Sequence, residues 1–363
     1  MPEESTPRRE RKRTVQQMVI VGVIATAIGI AIGLTIHWFP PADSTQADKI
    51  DTLWDVLIIA TVPVFVLVTV IVGFSVLEFR MRPGEEQLDG PPIHGNTRLE
   101  VIWTALPAIL IVGLVTYAYV VMRDIEKAPA AGNRERVVTV TGQQFTWTFA
   151  YNEGGKKFAT AQLYLPAGQS VKFDVRSKDV IHDFWVPDFR MKIDAVPGIT
   201  THYRVTPKSP GAIGDHAIVC AELCGLGHAF MRQTAHVLTQ ADFDKWVQKM
   251  TARPAAGGGG GGGGGAAVDA KALFTAGDAD TGATACATCH VLADAGAKGQ
   301  IGPDLDKVLK GKDAAFIKQS IIEPDKVIAP GYQPGVMPSN FGDTLSAGQV
   351  DALVRYLSQV TNK

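Results

Sequence analysis

Four cysteines are the residues of this chain whose types and spacing most clearly point to chemistry, and they form two close pairs. The first pair lies in the segment Cys220-Ala-Glu-Leu-Cys224-Gly-Leu-Gly-His228-Ala-Phe-Met231, and a further histidine, His182, precedes it. Thiolates, imidazoles and a thioether are soft ligands, and soft ligands select copper over hard cations. The segment therefore predicts a metal site, and copper is the metal that its ligand set favours.

Three other interpretations of the first pair remain open from the residues alone: a structural zinc site, a disulfide, and a chance grouping of these residues. A structural zinc site can use two cysteines and two histidines, and an exported chain could join Cys220 to Cys224 in a disulfide. Zinc leaves Met231 without a role, and a disulfide leaves both His182 and His228 without one. Copper uses all five side chains, so we favour it.

The second pair lies in Cys286-Ala-Thr-Cys289-His290, which is a c-type haem attachment motif. We expect thioether bonds from both thiols and iron ligation by His290. A redox dithiol would need a thioredoxin-like context, which the surrounding sequence lacks. After Cys289 the chain has one histidine, His290, and one methionine, Met337. Met337 is therefore the expected sixth ligand, and a His/Met pair is the ligation that raises the potential of cytochromes c.

Length and composition limit the classes to which the chain can belong. It has 363 residues, a formal net charge of −1, 46% hydrophobic residues and 20% charged residues. The near-zero charge excludes the basic footprint of a nucleic-acid-binding protein, and the average composition excludes wholesale disorder. The length predicts two or three domains.

Three apolar runs without a formal charge predict membrane helices. They are Val15–Ile36, Val56–Leu77 and Val101–Met122, and a spanning helix needs about 20 such residues. Basic residues just before the first run predict a cytoplasmic N-terminus, which places everything after about Arg123 on the outer side. The first run is either a retained anchor or a long signal peptide. Its length favours the anchor, because signal cores usually span about 7–15 residues.

The outer part of the chain divides into two regions separated by a run of glycine. Apolar and polar residues alternate over 134–250 with the period of β-strands, which predicts a sandwich or barrel that ends in a short helix, Gln240–Met250. The glycine run, Gly257–Gly265, predicts a flexible tether. We therefore divide the chain into an N-terminal segment with the first membrane run, a helical hairpin, a β-domain, a linker and a C-terminal domain, at residues 1–51, 52–123, 124–252, 253–267 and 268–363.

The first cysteine motif closely resembles the copper loop in subunit II of haem–copper cytochrome c oxidases. Glu100-Val-Ile-Trp103-Thr104-Ala-Leu-Pro107 is similar to the start of a membrane helix in the same family. The resemblance implies a cupredoxin-like β-sandwich that holds a binuclear copper centre (CuA). It further implies the following ligands: the thiolates of Cys220 and Cys224 bridging both coppers, His182 and His228 on one copper each, and Met231 and the backbone carbonyl of Glu222 as weak outer ligands.

The resemblance also assigns roles at the interface with subunit I. Glu100 would lie at the mouth of a proton path, whereas the alternative is an ordinary interfacial carboxylate. The side chain of Glu222 would reach a magnesium ion shared with subunit I. Phe145 stands where the family usually has the tryptophan that receives electrons from cytochrome c, a departure that fits a chain carrying its own donor.

The C-terminal region resembles small class I cytochromes c throughout. Taken together, the sequence predicts a multidomain membrane protein with N-terminal transmembrane helices, a cupredoxin-like sandwich and an all-α cytochrome c domain. The resemblance implies the electron-input subunit of a caa-type oxidase, which passes electrons from an external c-type carrier through covalent haem c and CuA to haem in subunit I. Dioxygen reduction coupled to proton translocation would occur in that partner.

We expect subunits I and III, an external donor such as cytochrome c, and the membrane as partners, and no nucleic acid. The expected location is the bacterial plasma membrane, multi-pass, with both cofactor domains on the outer face. Two alternatives stay open. One is the electron-input subunit of a copper-containing nitric-oxide reductase, and the other is a membrane-anchored electron carrier without a catalytic partner.

Overall fold

The computed structural model describes residues 6–80, 94–130, 132, 135–225, 227–252, 268–278 and 280–362. The predicted tether, Gly257–Gly265, lies outside these residues. The chain separates into two compact units. The first comprises Met1–Pro40 and Asp48–Ile125, and the second comprises Pro41–Ala47 and Glu126–Lys363.

Three long helices build the first unit, as the apolar runs predict. They are α1 (Thr6–Thr35), α2 (Thr45–Glu78) and α3 (Thr97–Ile125). Each contains a stretch long and apolar enough to cross a membrane, with mean hydropathies of 2.4, 2.9 and 2.2. Two glycines let α1 approach α2 closely. A Cβ atom at Gly29 or Gly33 would come within 2.8 or 2.7 Å of side-chain atoms of α2, the small-residue packing typical of membrane helices.

A sandwich of two five-stranded sheets forms the first part of the second unit, which confirms the predicted β-domain. The strand orders are β3-β2-β1-β5-β8 and β4-β10-β9-β6-β7. Helix α4, Gln240–Ala252, follows the last strand. The strands are β1 (Arg136–Gln143), β2 (Thr146–Glu153), β3 (Lys156–Thr160), β4 (Leu163–Pro166), β5 (Val171–Ser177), β6 (His182–Trp185), β7 (Lys192–Ala195), β8 (Thr201–Val205), β9 (Gly214–Cys220) and β10 (Arg232–Leu238).

Aromatic side chains from both sheets fill the space between them. Phe184 of β6 is fully buried, and its ring centroid lies 5.3 Å from that of Trp147 and 5.5 Å from that of Phe173. Successive side chains of a strand point to opposite faces, so residues two apart share a face. The burial of Phe184 therefore also turns His182 toward the interior, at the end of the same strand.

The C-terminal part is mainly helical, with a small β-pair. Phe274 near its start and Leu353 near its end are both buried in one apolar core, as the predicted helical pattern at both ends requires. The pair β11–β12 is antiparallel and adds a feature that the expected all-α fold did not include. Its turn contains Gly296 at a φ of 65°, a conformation that glycine adopts without strain. The elements are α5 (Ala270–Ala276), β11 (Val291–Leu292), β12 (Ala297–Lys298), α6 (Leu305–Val308), α7 (Ala314–Ile322), α8 (Phe341–Thr344) and α9 (Ala347–Thr361).

Two valines of strand β1 provide a matched test of the sandwich core. Val140 is 0% exposed and Val137 is 47% exposed. We expect Val140→Ala to lower the free energy of unfolding by about 2 kcal/mol, because two buried methylene equivalents are lost. Val137→Ala should change it by less than about 0.5 kcal/mol. Urea unfolding followed by tryptophan fluorescence measures both, and equal losses would contradict the strand register.

Candidate functional site

His182 lies at the end of the sandwich, where β6 and β9 run side by side. It is fully buried, and Phe184 on the same strand pairs with Cys220 at the end of β9. The Nδ1 atom of His182 is 3.9 Å from the Sγ atom of Cys220. Its Nε2 atom is 2.9 Å from Oδ1 of Asp179. The carboxylate therefore holds one ring nitrogen and leaves the other directed at the thiol.

The loop after β9 returns its remaining donors to the same point. The sulfur of Cys224 lies 3.8 Å from that of Cys220, 3.6 Å from Nδ1 of His228 and 3.8 Å from Sδ of Met231. The carbonyl oxygen of Glu222 is 3.2 Å from the sulfur of Cys220. The structure thus brings together all six residues that the sequence predicted for the metal, with Glu222 contributing its backbone.

A neighbouring turn supports this loop from outside the donor set. The side-chain amide of Gln144 donates to the carbonyl of Cys224 at 2.6 Å. Gly225 has a φ of 127°, and a Cβ atom there would lie 2.9 Å from Gln144 Nε2 and 3.1 Å from Phe145. A Cβ atom at Gly227 would overlap the Phe145 ring. Both glycines are therefore required for the loop to pass this close to the 144–145 turn.

Burial and hydrogen bonds set the charges of these groups. Burial raises the pKa of Asp179, but hydrogen bonds from the Gln144 N–H and from His182 outweigh it and hold the pKa below its usual range. Burial also raises the pKa of the Cys220 thiol, but contacts with His182 and backbone N–H groups hold it below its usual value. Burial and the neighbouring Cys220 raise the pKa of Cys224. Cys220 is therefore the thiol that ionises first, and the thiolate is the form that binds metals.

The donor set decides which metal fits. Two sulfurs of cysteine, one thioether and two imidazole nitrogens lie next to one another, with His182, Cys220, Cys224 and Met231 buried and His228 half-buried. The ligand atoms of His182, Cys220 and Cys224 all lie within 4.8 Å of one another. Met231 is fully buried with its sulfur directed at Cys224, a placement that a zinc site does not need. Soft sulfur donors in this number fit copper better than a hard cation.

A cavity of about 400 Å³ in the C-terminal part contains the second set of predicted residues. Cys286, Cys289, His290 and Met337 all line it, together with mostly apolar side chains. The Nδ1 atom of His290 bonds to the carbonyl of Pro303 at 2.9 Å. This bond occupies Nδ1, so Nε2 is the nitrogen that can bind iron. Burial lowers the pKa of His290, which keeps its imidazole neutral as a ligand must be.

Gly302 makes room for the His290 ring. A Cβ atom at this position would lie 2.6 Å from Cε1 of His290, and its N–H donates to the carbonyl of Cys289 at 2.8 Å. Burial raises the pKa of the Cys286 thiol to about 11. An apolar cavity with two thiols, one oriented imidazole and one thioether fits a haem bound through its vinyl groups.

Glu100 lies in the first turn of α3 and is exposed. Its carboxylate accepts the backbone N–H of Asn96 at 3.1 Å, while the side chain of Asn96 accepts the N–H of Leu99. Glu100 therefore stabilises the start of its helix, whatever further role it has.

Two supporting residues were missed by the sequence analysis, for different reasons. Asp179 lies three residues before His182, and a carboxylate beside a ligand histidine is a recognisable signal for the partner that orients the ring. Gln144 is 80 residues from the carbonyl that it supports, and its contact depends on how the sheets pack. The sequence carries no local sign of that contact.

Comparisons with known proteins agree with this arrangement. Residues 29–121 match the model of the cytochrome c oxidase subunit II transmembrane domain, 154–237 match its periplasmic domain, and 267–361 match cytochrome c. The cytochrome c oxidase subunit 2 of Thermostichus vulcanus is 30% identical over 276 residues, which cover 62% of this chain and 82% of that protein. The protein of the same description from Bacillus sp. (strain PS3) is 28% identical over 309 residues, which cover 77% of this chain and 79% of that protein.

Part of this chain is also similar to solved structures. The periplasmic domain of cytochrome oxidase subunit II from Bradyrhizobium japonicum is 28% identical, with a TM-score of 0.31. The match covers 35% of this chain and 98% of that one.

The contact between Asp179 and His182 predicts a defined effect on metal affinity. We expect Asp179→Asn to weaken copper binding about 10-fold to 100-fold, because the partner that orients a ligand histidine is altered. Titration against a competing chelator of known affinity measures the change. Asp174→Asn is the control, because Asp174 pairs with Lys172 on the sandwich surface and should leave the affinity unchanged. Equal affinities in the two variants would contradict the role of Asp179.

Proposed function

Because the chain belongs to the cytochrome c oxidase subunit II family, we propose that it is the electron-input subunit of a terminal haem–copper oxidase with its own cytochrome c domain. The observation that supports this most strongly is the cluster of sulfur and imidazole donors, in which each of the five side chains has a donor atom within 3.9 Å of a donor atom of another. A cavity carrying a complete haem attachment motif lies in the same chain.

The proposal assigns each candidate ligand. Copper would be held by the thiolates of Cys220 and Cys224, by His182 and His228, by Met231 and by the carbonyl of Glu222. Haem would be attached through Cys286 and Cys289, and His290 and Met337 are the residues that would bind its iron. When bound, copper and haem can each gain and lose a single electron with little change in the positions of the surrounding ligands.

The protein itself supplies rigidity around these groups. His182 is part of a strand and packs with its ring centroid 5.8 Å from that of Trp147, so it is fixed by the sandwich core. Gln144 and Asp179 hold the loop and the ring from outside the ligand set. Ligands held by packing and hydrogen bonds in this way keep their geometry when the charge of a site changes.

The order of electron transfer follows from this assignment. Electrons would pass from an external c-type carrier to the haem, then to the copper pair, and then to haem in subunit I, where dioxygen reduction is coupled to proton translocation. Subunit III completes the expected complex.

Glu100 is the candidate residue for the proton path, and the Glu222 side chain is the candidate ligand for a magnesium ion shared with subunit I. The expected location is the bacterial plasma membrane, with three spans and both cofactor domains on the outer face.

Copper content and electron paramagnetic resonance of the purified complex test the proposal. We expect about two coppers per chain sharing one unpaired electron, one covalently bound haem, and copurification with a haem-containing oxidase subunit that consumes dioxygen. Cys224→Ser is the control, because it removes one of the two thiolates that would hold copper and should abolish the shared-electron signal. Zinc, or one localised copper, would overturn the copper assignment. Extraction without a catalytic partner would support a simple electron carrier, and nitric-oxide reduction by the complex would support a reductase.

The close approach of Gly302 to His290 gives a further prediction. We expect Gly302→Ala to reduce the fraction of chains that carry His-ligated haem by more than half, because the added methyl group overlaps the imidazole ring. Absorption spectra of the purified protein, normalised to chain concentration, measure this fraction. Gly348→Ala is the matched control, because a Cβ atom at Gly348 meets nothing within 4 Å. Equal haem content in both variants would refute the placement of His290.

A further inference from the structure

The face of the sandwich that carries Phe145 is covered by the cytochrome c domain. Gly335 lies two residues before Met337 and is buried. A Cβ atom at Gly335 would lie 3.3 Å from Cε2 of Phe145 and 3.5 Å from Cβ of Gln144. The backbone of the Met337 loop therefore lies directly against the turn at residues 144–145.

Phe145 touches the copper loop on its other side. The space above Gly225 and Gly227 is occupied by the same ring. One phenyl ring thus lies between the loop that would hold copper and the loop that would provide an axial ligand to haem. Gly225, Gly227 and Gly335 all face this ring, and a side chain at any of them would displace the ring or the loop.

A buried asparagine makes a second, polar contact across the same boundary. Asn340 is 3% exposed, and its Nδ2 atom lies 3.4 Å from both Oγ1 of Thr146 and the carbonyl oxygen of Trp147. Buried polar side chains are nearly always hydrogen-bonded, and here the partners belong to the other domain. The contact reaches the residue whose indole ring packs on His182.

Polar contacts continue toward the periphery of this boundary. Lys178 pairs with Asp343 at 3.4 Å, and Lys249 pairs with Asp280. The backbone N–H of Ala161 donates to the carbonyl of Thr281 at 2.7 Å. Exposed ion pairs contribute little affinity but favour one orientation over others.

We propose that the cytochrome c domain docks on the sandwich in this single orientation, with Phe145 as the residue clamped between the two ligand loops and Gly335 and Asn340 as the residues that select the orientation. The docked domain closes this face to external proteins, so a soluble donor reaches the chain through the cytochrome c domain. The docking rests on the proposed function for the identity of the two loops and of the external donor. A short tether raises the local concentration of the domain to roughly the millimolar range, so a modest interface is sufficient.

Zero-length carbodiimide cross-linking of the full-length purified protein tests the docking. We expect mass spectrometry to find Lys178 joined to Asp343 and Lys249 joined to Asp280 as the main cross-links between the domains. Cross-links scattered over many lysine and carboxylate pairs would overturn the proposal, because they would indicate a domain that moves freely on its tether.

Two glycines of the cytochrome c domain provide matched variants. Gly335 and Gly331 have φ angles of 76° and 88°, so a side chain is strained at both positions. They differ in their surroundings. A Cβ atom at Gly335 would meet Phe145 and Gln144 of the sandwich, whereas a Cβ atom at Gly331 meets nothing within 4 Å. We expect Gly335→Leu to lower the yield of the Lys249–Asp280 cross-link at least about fivefold, and Gly331→Leu to leave it unchanged. Equal yields would overturn the proposal.

A second variant covers the case in which Gly335→Leu disturbs the Met337 loop itself. Asn340→Asp keeps the shape of the side chain but removes the donor and places a carboxylate beside the Trp147 carbonyl. Its cross-link yield should also fall about fivefold, because a buried acceptor without a donor destabilises the docked state. An undiminished yield in this variant would overturn the role of Asn340.

Copper and haem contents, measured on the same samples, separate this proposal from the proposed function. Wild-type protein that binds both groups but lacks the two cross-links would refute the docking alone. Protein that gives the two cross-links without binding copper or haem would support the docking and refute the proposed function.

Discussion

The site depends on one constraint, the inclusion of His182 in the aromatic core of the sandwich. Strand β6 places His182 and Phe184 on the same face, and Phe184 packs against the rings of Trp147 and Phe173 from the opposite sheet. The histidine therefore cannot rotate away without opening the core. Asp179 fixes its remaining freedom by accepting from Nε2, and Cys220 meets the other nitrogen because β9 is paired with β6. Everything else in the loop is positioned relative to this fixed ring.

The metal-donor loop follows a different rule from the strand. The types and spacing of its donor residues are fixed locally in the sequence. The path of its backbone depends instead on the lack of side chains at Gly225 and Gly227 and on the hydrogen bond from the Gln144 amide. The cytochrome c domain uses the same device at Gly302, where a missing side chain makes room for the ring of His290. In both domains a histidine is held by packing, and glycine shapes the space around the ligands.

The sequence was informative wherever chemistry and spacing are local. The ligand residues, the three apolar helices and the alternating strands follow from residue type and period, because side-chain polarity and backbone geometry act over a few residues. The contact of Gln144 with Cys224 joins residues that are 80 positions apart, and no periodic pattern encodes such a pairing. Phe145 was recognised only as a departure from a family pattern. Its position between two loops depends on how two domains meet, which the linker sequence does not encode.

The ring of Phe145 between two glycine-lined loops also limits how freely the parts of this chain could be exchanged. A haem attachment motif and a methionine are found in many small cytochromes, and a tether of glycines would accept any of them. A replacement domain would nevertheless fit this sandwich only if it offered a residue without a side chain two positions before its methionine and a small amide donor near the following helix. The sequence divides into separate domains, but their contact surfaces have to remain complementary. A change to either domain at this boundary therefore requires a matching change in the other.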